Sequence, residues 1–389
     1  MKSGQVEWQP NAKQTNSLLY NRHPVLALKH ILEALFGLVI PSKNDLEKGG
    51  NMKTRSLLSH AILLCSLVLA LNTSITASVL PCQDKTSTIK VPDAEAKAAK
   101  AVEAAKDTNA KFVAAEGFLK KYPVSKARPQ VAGYIVNLVY GVTEPNQRLA
   151  LAQKYLALFT EPTEATMGRP ALIDSYVMLK RYDEAFDNGA TYLVSNPEEV
   201  QILVLLAVTG AELVRNQNGK YIKASRQYGA RAIELIEADK KPALMDSESW
   251  VKQKARLPEL YQQMGVMSLV EQNTTAAEAN LEKAAKLNPA DPFNYAMLGA
   301  ITNNNYQTLA LSVRSMPDSK SKDEMVQKAN TLLDKVIEQY ARAVALATGK
   351  PEYQSLHDQV LLDLTSYYKY RHKNSDEGMQ KYIDSFRLP

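Results

Sequence analysis

One pattern of residues occurs twice in the sequence, 34 positions apart. A large, an apolar and a small residue appear in the same order and spacing each time: Tyr261, Met264 and Gly265, then Tyr295, Leu298 and Gly299. Residues three and four positions apart share one face of an α-helix. A fixed period of this length predicts a repeat architecture, in which each unit stacks on its neighbour to bury a common core.

The residues between the two sets complete one repeat. They are, in order, small, large, small and proline: Ala277, Leu281, Ala284 and Pro289. Gly265 and Ala277 are small enough for two helix backbones to approach closely. Tyr261 and Leu281 are large enough to fill the gaps beside them. Pro289 cannot continue a helix, so it ends the second one.

This stretch resembles one tetratricopeptide repeat (TPR), a 34-residue helix–turn–helix. Ser268 departs from the family, which usually has an aromatic residue at that place. The resemblance implies an all-α fold, a right-handed superhelical array of antiparallel helix pairs, or TPR-like α-solenoid. The alternative is a generic helical hairpin, because any antiparallel pair needs small and large residues on facing sides.

The pattern recurs with less detail nearer the N-terminus. Ala185 and Pro197 are separated by 12 positions, as are Ala277 and Pro289 in the repeat described above. Gly189 stands where the repeat has its second large residue, so the packing there must differ. Ala224 and Tyr228 repeat the small–large step of four positions. The resemblance therefore extends over about six helix pairs.

These matches divide the chain into N-terminal helical repeats at 93–239, a linker at 240–249 and C-terminal repeats at 250–389. About 25 extra residues break the phase after Gly299. We interpret residues 300–324 as an insertion, and long loops of this kind are usually functional or disordered.

A segment rich in alanine, glutamate and lysine precedes the first pair. Its composition, from Asp93 to Lys121, favours one long helix. Such a helix fits the polar cap that helical arrays need at their ends.

Residues 52–77 have the three parts of a secretory signal peptide. Basic residues 52–55 precede an apolar run at 56–71 and a small, polar segment that ends at Ala77. We expect cleavage after Ala77, a linker at 78–92, and export to the periplasm or the extracellular space. The alternative is an uncleaved membrane anchor, although the apolar run is shorter than the roughly 20 residues that a spanning helix needs.

A signal peptide should begin a chain, and residues 1–51 precede this one. We therefore interpret Met52 as the true start, and residues 1–51 as an upstream extension that is not translated or is disordered. Lys48 to Asn51 is what a purine-rich bacterial ribosome-binding site encodes when it is read through, which predicts a bacterial exported protein. The alternative is a genuine cytoplasmic extension.

Charge and cysteine content exclude several classes of protein. Residues 1–77 carry 8 of the 47 basic and 4 of the 41 acidic residues, so the rest of the chain is nearly neutral. Without a basic block, the charge predicts no binding of nucleic acid. After signal cleavage Cys82 is the one remaining thiol, so no internal disulfide is possible.

The sequence lacks the signatures of common catalytic sites. It contains no His-Glu-x-x-His, Gly-x-Ser-x-Gly, phosphate-loop or Cys-x-x-Cys motif. After signal cleavage His357 and His372 are the remaining histidines, and isolated histidines are usually surface residues. We therefore predict no catalytic residue, no metal site and no cofactor.

A TPR-like array implies a groove lined by the first helix of each pair, which suits a protein or peptide partner. The face that the register turns toward this groove predicts six partner-binding residues: Glu259, Gln262, Val266, Leu269, Asn303 and Asn304. Two alternatives remain open. Val266 and Leu269 equally fit the core, and the Asn303–Asn305 run equally fits the end of a helix, since asparagine tolerates left-handed backbone there.

Together these features predict an exported, non-catalytic TPR-like scaffold that binds a protein or peptide. An enzyme or small-molecule-binding protein built on a helical solenoid is the first alternative, and it would need a pocket with converging polar groups. The second is a component of the membrane periphery, held there through an uncleaved signal sequence.

Overall fold

The computed structural model describes residues 91–242 and 245–387. This part of the chain is built from α-helices and one 3₁₀ turn, Pro351–Tyr353, and contains no strand. The helices run in this order: α1 Asp93–Ala104, α2 Thr108–Lys121, α3 Arg128–Tyr140, α4 Pro145–Leu158, α5 Pro162–Met178, α6 Tyr182–Ser195, α7 Val200–Arg215, α8 Ile222–Glu237, α9 Ser247–Lys254, α10 Leu257–Val270, α11 Thr274–Leu287, α12 Pro292–Arg314, α13 Lys320–Ala347, α14 Gln354–Arg371 and α15 Met379–Asp384.

The predictions for residues 1–90, namely the upstream extension, the signal peptide and most of the linker, lie outside the described residues. Among the helices that are described, none combines the length and the apolar character needed to cross a membrane.

The helices pack as a TPR-like array of consecutive pairs. In the N-terminal unit, α4 packs against α3 and α5, and α3 also packs against α5, the next helix but one. In the C-terminal unit, α12 packs against α11 and α13, and also against α14. This pattern of nearest and next-nearest neighbours confirms the all-α repeat architecture that the 34-residue register predicts.

The two compact units divide inside α10. Of the described residues, 91–214, 218–242 and 245–267 belong to the N-terminal unit. Residues 215–217 and 268–387 belong to the C-terminal unit. The predicted linker therefore does not coincide with this division. Its residues 240–242 and 245–249 lie within the N-terminal unit, where the Trp250 indole N–H donates to Asp239 at 2.8 Å and ties α9 to the end of α8.

The predicted single helix from Asp93 to Lys121 is two helices. Ala105 is extended (φ −63°, ψ 143°), which ends α1. The Asp107 side chain then accepts a hydrogen bond from the Ala110 backbone N–H at 2.8 Å and caps α2. An aspartate two residues after the break satisfies a helix N-terminus that a continuous helix would not have.

The predicted insertion is helical rather than a loop. α12 continues to Arg314 and has 23 residues, and α13 has 28, whereas α10 and α11 have 14 each. The Ser319 hydroxyl caps α13 by accepting from the Lys322 backbone N–H at 3.2 Å. We call residues 304–332, where the two helices exceed the usual repeat length, the extended hairpin.

The altered packing expected at Gly189 has a specific cause. A Cβ built on Gly189 would lie 2.4 Å from Leu206 Cδ1, so a side chain of α7 occupies the space of the missing large residue. Gly229 in α8 repeats this arrangement, with Met264 Sδ 2.8 Å from a built Cβ. The buried residues of α8 include Ser225 and Gly229, so the predicted register on Ala224 and Tyr228 is wrong by one position.

Candidate functional site

Ten residues were predicted to pack the repeat that begins at Tyr261 and the first helix of the next repeat, and most of them are buried. Tyr295 is half-buried, and Pro289 is exposed after the end of α11. The eight buried residues are Tyr261, Met264, Gly265, Ala277, Leu281, Ala284, Leu298 and Gly299. In the C-terminal unit, Ala277 and Leu281 belong to one core cluster with Leu298. A Cβ on Gly299 would lie 2.4 Å from the Tyr340 ring, so this small residue sets the approach of α12 to α13.

The predicted partner-binding residues divide into buried and half-buried groups. Val266 and Leu269 are 0% and 2% exposed, so they are core residues, as the alternative interpretation held. Glu259 and Gln262 are half-buried on α10. Because buried aliphatic side chains offer no surface, the face of α10 available to a partner is narrower than the register predicts.

Asn303 is only 2% exposed and lies in the interior of α12, so the Asn303–Asn305 run is not a helix end. Asn304 is half-buried and Asn305 is exposed. The reason is packing: Ala296 and Ala300, earlier in α12, belong to one core cluster with Val336 and Tyr340 of α13 and with Leu356 and Val360 of α14. Packing against α11, α13 and α14 encloses the first three turns of α12.

Asn303 belongs to a polar and aromatic group at the base of the extended hairpin. The Gln307 side-chain amide donates to Asn303 Oδ1 at 3.3 Å and to the Tyr367 hydroxyl at 3.0 Å. The Tyr306 ring meets the Tyr367 ring edge-on, with centroids 6.2 Å apart. We call Asn303, Gln307, Tyr340 and Tyr367 the Asn303 cluster.

Burial governs the chemistry of the Asn303 cluster. It raises the pKa of the Tyr340 phenol well above its ordinary value, the negative charge of Asp363 adds to the effect, and Asn303 opposes it. The phenol therefore stays neutral and is not a base. Gln307, Tyr306 and Asn304 carry amide and phenol groups and are half-buried on the same helix as Asn303. Amides and phenols are suited to hydrogen bonding with a peptide.

A second group, in the N-terminal unit, was not found from the sequence. Arg148 of α4 donates to Asp174 of α5 at 2.5 Å and to the Val142 carbonyl at 2.6 Å. The charge of Glu199 acts on both Tyr192 and Tyr140, and the charge of Asp174 also acts on Tyr140. We call these five side chains, Tyr140, Arg148, Asp174, Tyr192 and Glu199, the Tyr140 cluster.

The carboxyl groups of the Tyr140 cluster have perturbed acidities. Burial raises the pKa of Asp174, and the charge and hydrogen bond of Arg148 oppose the shift. Burial also raises the pKa of Glu199, opposed by the Gln201 backbone N–H and by Tyr192. No motif marks these residues, because Asp174 lies on α5 and Glu199 lies just before α7, far apart in sequence. Charged residues of a helical protein are usually solvated, so the sequence alone gave no reason to single out these two.

The isolated histidines have local partners. His357 Nδ1 lies 2.9 Å from Asp358, and the His372 ring stacks on Tyr368 with centroids 3.9 Å apart. Within residues 91–242 and 245–387, no group of three or more His, Cys, Asp and Glu side chains is placed to hold a metal ion.

Comparison with solved structures of other proteins gives the following match. The chain is similar to a tetratricopeptide repeat protein from Parabacteroides merdae ATCC 43184, with 12% sequence identity and a TM-score of 0.33, over 75% of this chain and 96% of that chain. No protein-family model matches the chain, and no curated protein matches it. The class of protein is therefore defined by the helix packing described above: a helical-repeat protein of TPR-like architecture.

Proposed function

We propose that this protein is an exported scaffold that binds a protein or peptide partner and performs no catalysis. The observation that carries the proposal is the extended hairpin with the Asn303 cluster at its base. Helical-repeat arrays present their departures from the repeat as surfaces for partners. Here the departure lengthens two helices, and the first of them, α12, carries the half-buried residues Asn304, Tyr306 and Gln307.

The proposed contacts favour a peptide backbone or polar side chains. Gln307 already bridges Asn303 and Tyr367, so its orientation is fixed before a partner arrives. A pre-ordered side chain loses less conformational entropy on binding. The half-buried residues Glu259 and Gln262 on α10 form a separate candidate surface, which the same experiment tests.

The test is crosslinking and co-purification of the tagged full chain from its native host. We expect one stoichiometric protein partner, which is lost when Asn304 and Gln307 are both replaced by alanine. Gln380→Ala is the matched control, because Gln380 is an exposed amide on α15 of the same unit. Retention of the partner by the double variant, or equal loss with the control, would exclude this surface. A variant with Gln262→Ala tests α10 in the same way.

The Tyr140 cluster favours the alternative, an enzyme or small-molecule-binding protein. Its two carboxyl groups of raised pKa are of the kind that occurs at active sites. Their partners within the fold, Arg148 and Tyr192, are equally those of a structural network. Native mass spectrometry of protein from the host distinguishes the two. A bound metabolite that is lost in a folded Glu199→Gln variant would favour the alternative over the scaffold.

A further inference from the structure

Met178, the last residue of α5, is an exposed methionine in contact with a buried cation. It is 46% exposed, whereas Met245, Met264, Met267 and Met297 are at most 8% exposed. The Arg148 Nη1 group, which donates to Asp174 Oδ2 at 2.5 Å, also lies 3.7 Å from Met178 Sδ. Asp174 and Met178 are one helical turn apart, so both lie on the face of α5 that meets Arg148.

This contact makes the two lone pairs of the sulfur unequal. A thioether sulfur is a weak acceptor with two lone pairs. The Arg148 N–H is directed at one of them, and the Arg148 side chain is itself only 7% exposed, so an oxidant cannot approach from that side. The exposed side of Met178 leaves the other lone pair open.

We propose that Met178 is a site of oxidation by peroxides, and that Arg148 directs the oxygen to one lone pair of the sulfur. Hydrogen peroxide transfers one oxygen atom to Sδ: the S–O bond forms and the O–O bond breaks. The sulfur is oxidised by two electrons, and the peroxide is reduced to water. The product is methionine sulfoxide, in which the sulfur is a new stereocentre. Arg148 therefore selects one of the two epimers.

Oxidation also changes the end of α5. The sulfur of a sulfoxide carries partial positive charge and no longer attracts the guanidinium, so the contact between Arg148 and Met178 is lost. Asp174 and the Val142 carbonyl still hold Arg148. We therefore expect the melting temperature to fall only slightly, by no more than about 2–4 °C.

The test is a hydrogen peroxide time course on the full chain, followed by peptide mass spectrometry. We expect Met178 to gain oxygen several times faster than the four buried methionines, and Met178→Leu to lack the adduct on this peptide. A Met178 rate no higher than that of Met264 would overturn the proposal.

Stereochemistry tests the role of Arg148 separately. Methionine sulfoxide reductases occur in two kinds, each acting on one sulfoxide epimer. On the folded, singly oxidised chain digested to peptides, we expect one kind to reduce nearly all of the Met178 sulfoxide and the other almost none. Methionines in the same chain that are oxidised after unfolding in denaturant provide the control, and both kinds should act on them. Equal reduction of Met178 sulfoxide by both kinds would exclude direction by Arg148.

Discussion

At the scale of single residues, small side chains decide how closely helices approach. A Cβ on Gly210 of α7 would lie 1.7 Å from Ser225 Oγ on α8. We predict that Gly210→Ala lowers the free energy of unfolding by about 1–3 kcal/mol, because the added methyl group overpacks this contact. Denaturant unfolding measures the change.

Gly133 in α3 is the matched control for this prediction, because a Cβ there meets nothing within 4 Å. Gly133→Ala should raise the free energy of unfolding by about 0.5–1 kcal/mol, since alanine is the better helix former. Changes of the same sign and size in the two variants would show that close approach at Gly210 does not limit the packing.

Glu199 gives a second prediction at this scale. Its folded-state pKa is raised above the ordinary value of 4.5, so the folded state binds the proton more tightly than the unfolded state does. This group therefore adds stability at low pH, and the contribution is lost as pH rises from the unfolded pKa through the folded pKa. We predict that Glu199→Gln unfolds at higher temperature than the wild type at pH 7, with the difference shrinking below pH 5. A difference independent of pH would show that Glu199 is not the titrating group.

At the scale of helices, a proline substitution in the extended hairpin tests whether the residues after Gly299 form a helix or a loop. Thr308 is exposed in the interior of α12, and proline there removes a backbone hydrogen bond. We predict that Thr308→Pro costs about 3 kcal/mol in helix stability and reduces helicity measured by circular dichroism.

Lys320 is the control, because it occupies the first position of α13 after the extended Ser319. Proline is well accommodated at such a position. Lys320→Pro should therefore leave circular dichroism unchanged. If Thr308→Pro is equally silent, the segment is not helical in solution.

The sequence predicted the pairs well because close packing of two helices dictates residue size at fixed spacings. Tyr261, Gly265 and Ala277 occupy such places, and all three are buried. The pattern carries this information within one 34-residue repeat, so no contact between more distant segments is needed to find it.

The features of the candidate site that the sequence did not predict depend on contacts between distant segments of the chain. Asn303 is enclosed because α12 packs on α13 and α14, and the hydrogen bond from Gln307 reaches Tyr367, 60 residues away. The acidities of Asp174 and Glu199 likewise depend on side chains of other helices. Two local signals were available, however. Residues 300–316 contain no glycine or proline, which favours a continuous helix, and Asp107 is a strong N-cap that predicts the break before α2.

At the scale of the whole molecule, the predicted export determines where the native chain begins. If residues 52–77 are a cleaved signal peptide, the protein recovered from its host should begin at Ser78. N-terminal sequencing of that protein, with fractionation of the cells, tests this. A native N-terminal peptide from residues 1–51 would contradict both the start at Met52 and the cleavage. Recovery in the membrane fraction with the apolar run intact would favour the anchored alternative.

The glycines at positions 189 and 229 have a consequence for how this chain can be cut, shuffled or built anew. Each leaves a hollow in its own helix pair that the following first helix fills, with Leu206 in one case and Met264 in the other. A fragment that stops before Val200 would carry an open hollow at its end, and exchanging α7 alone for a foreign first helix would leave Gly189 without its filler. The transferable segment in this protein therefore runs from the second helix of one pair through the first helix of the next.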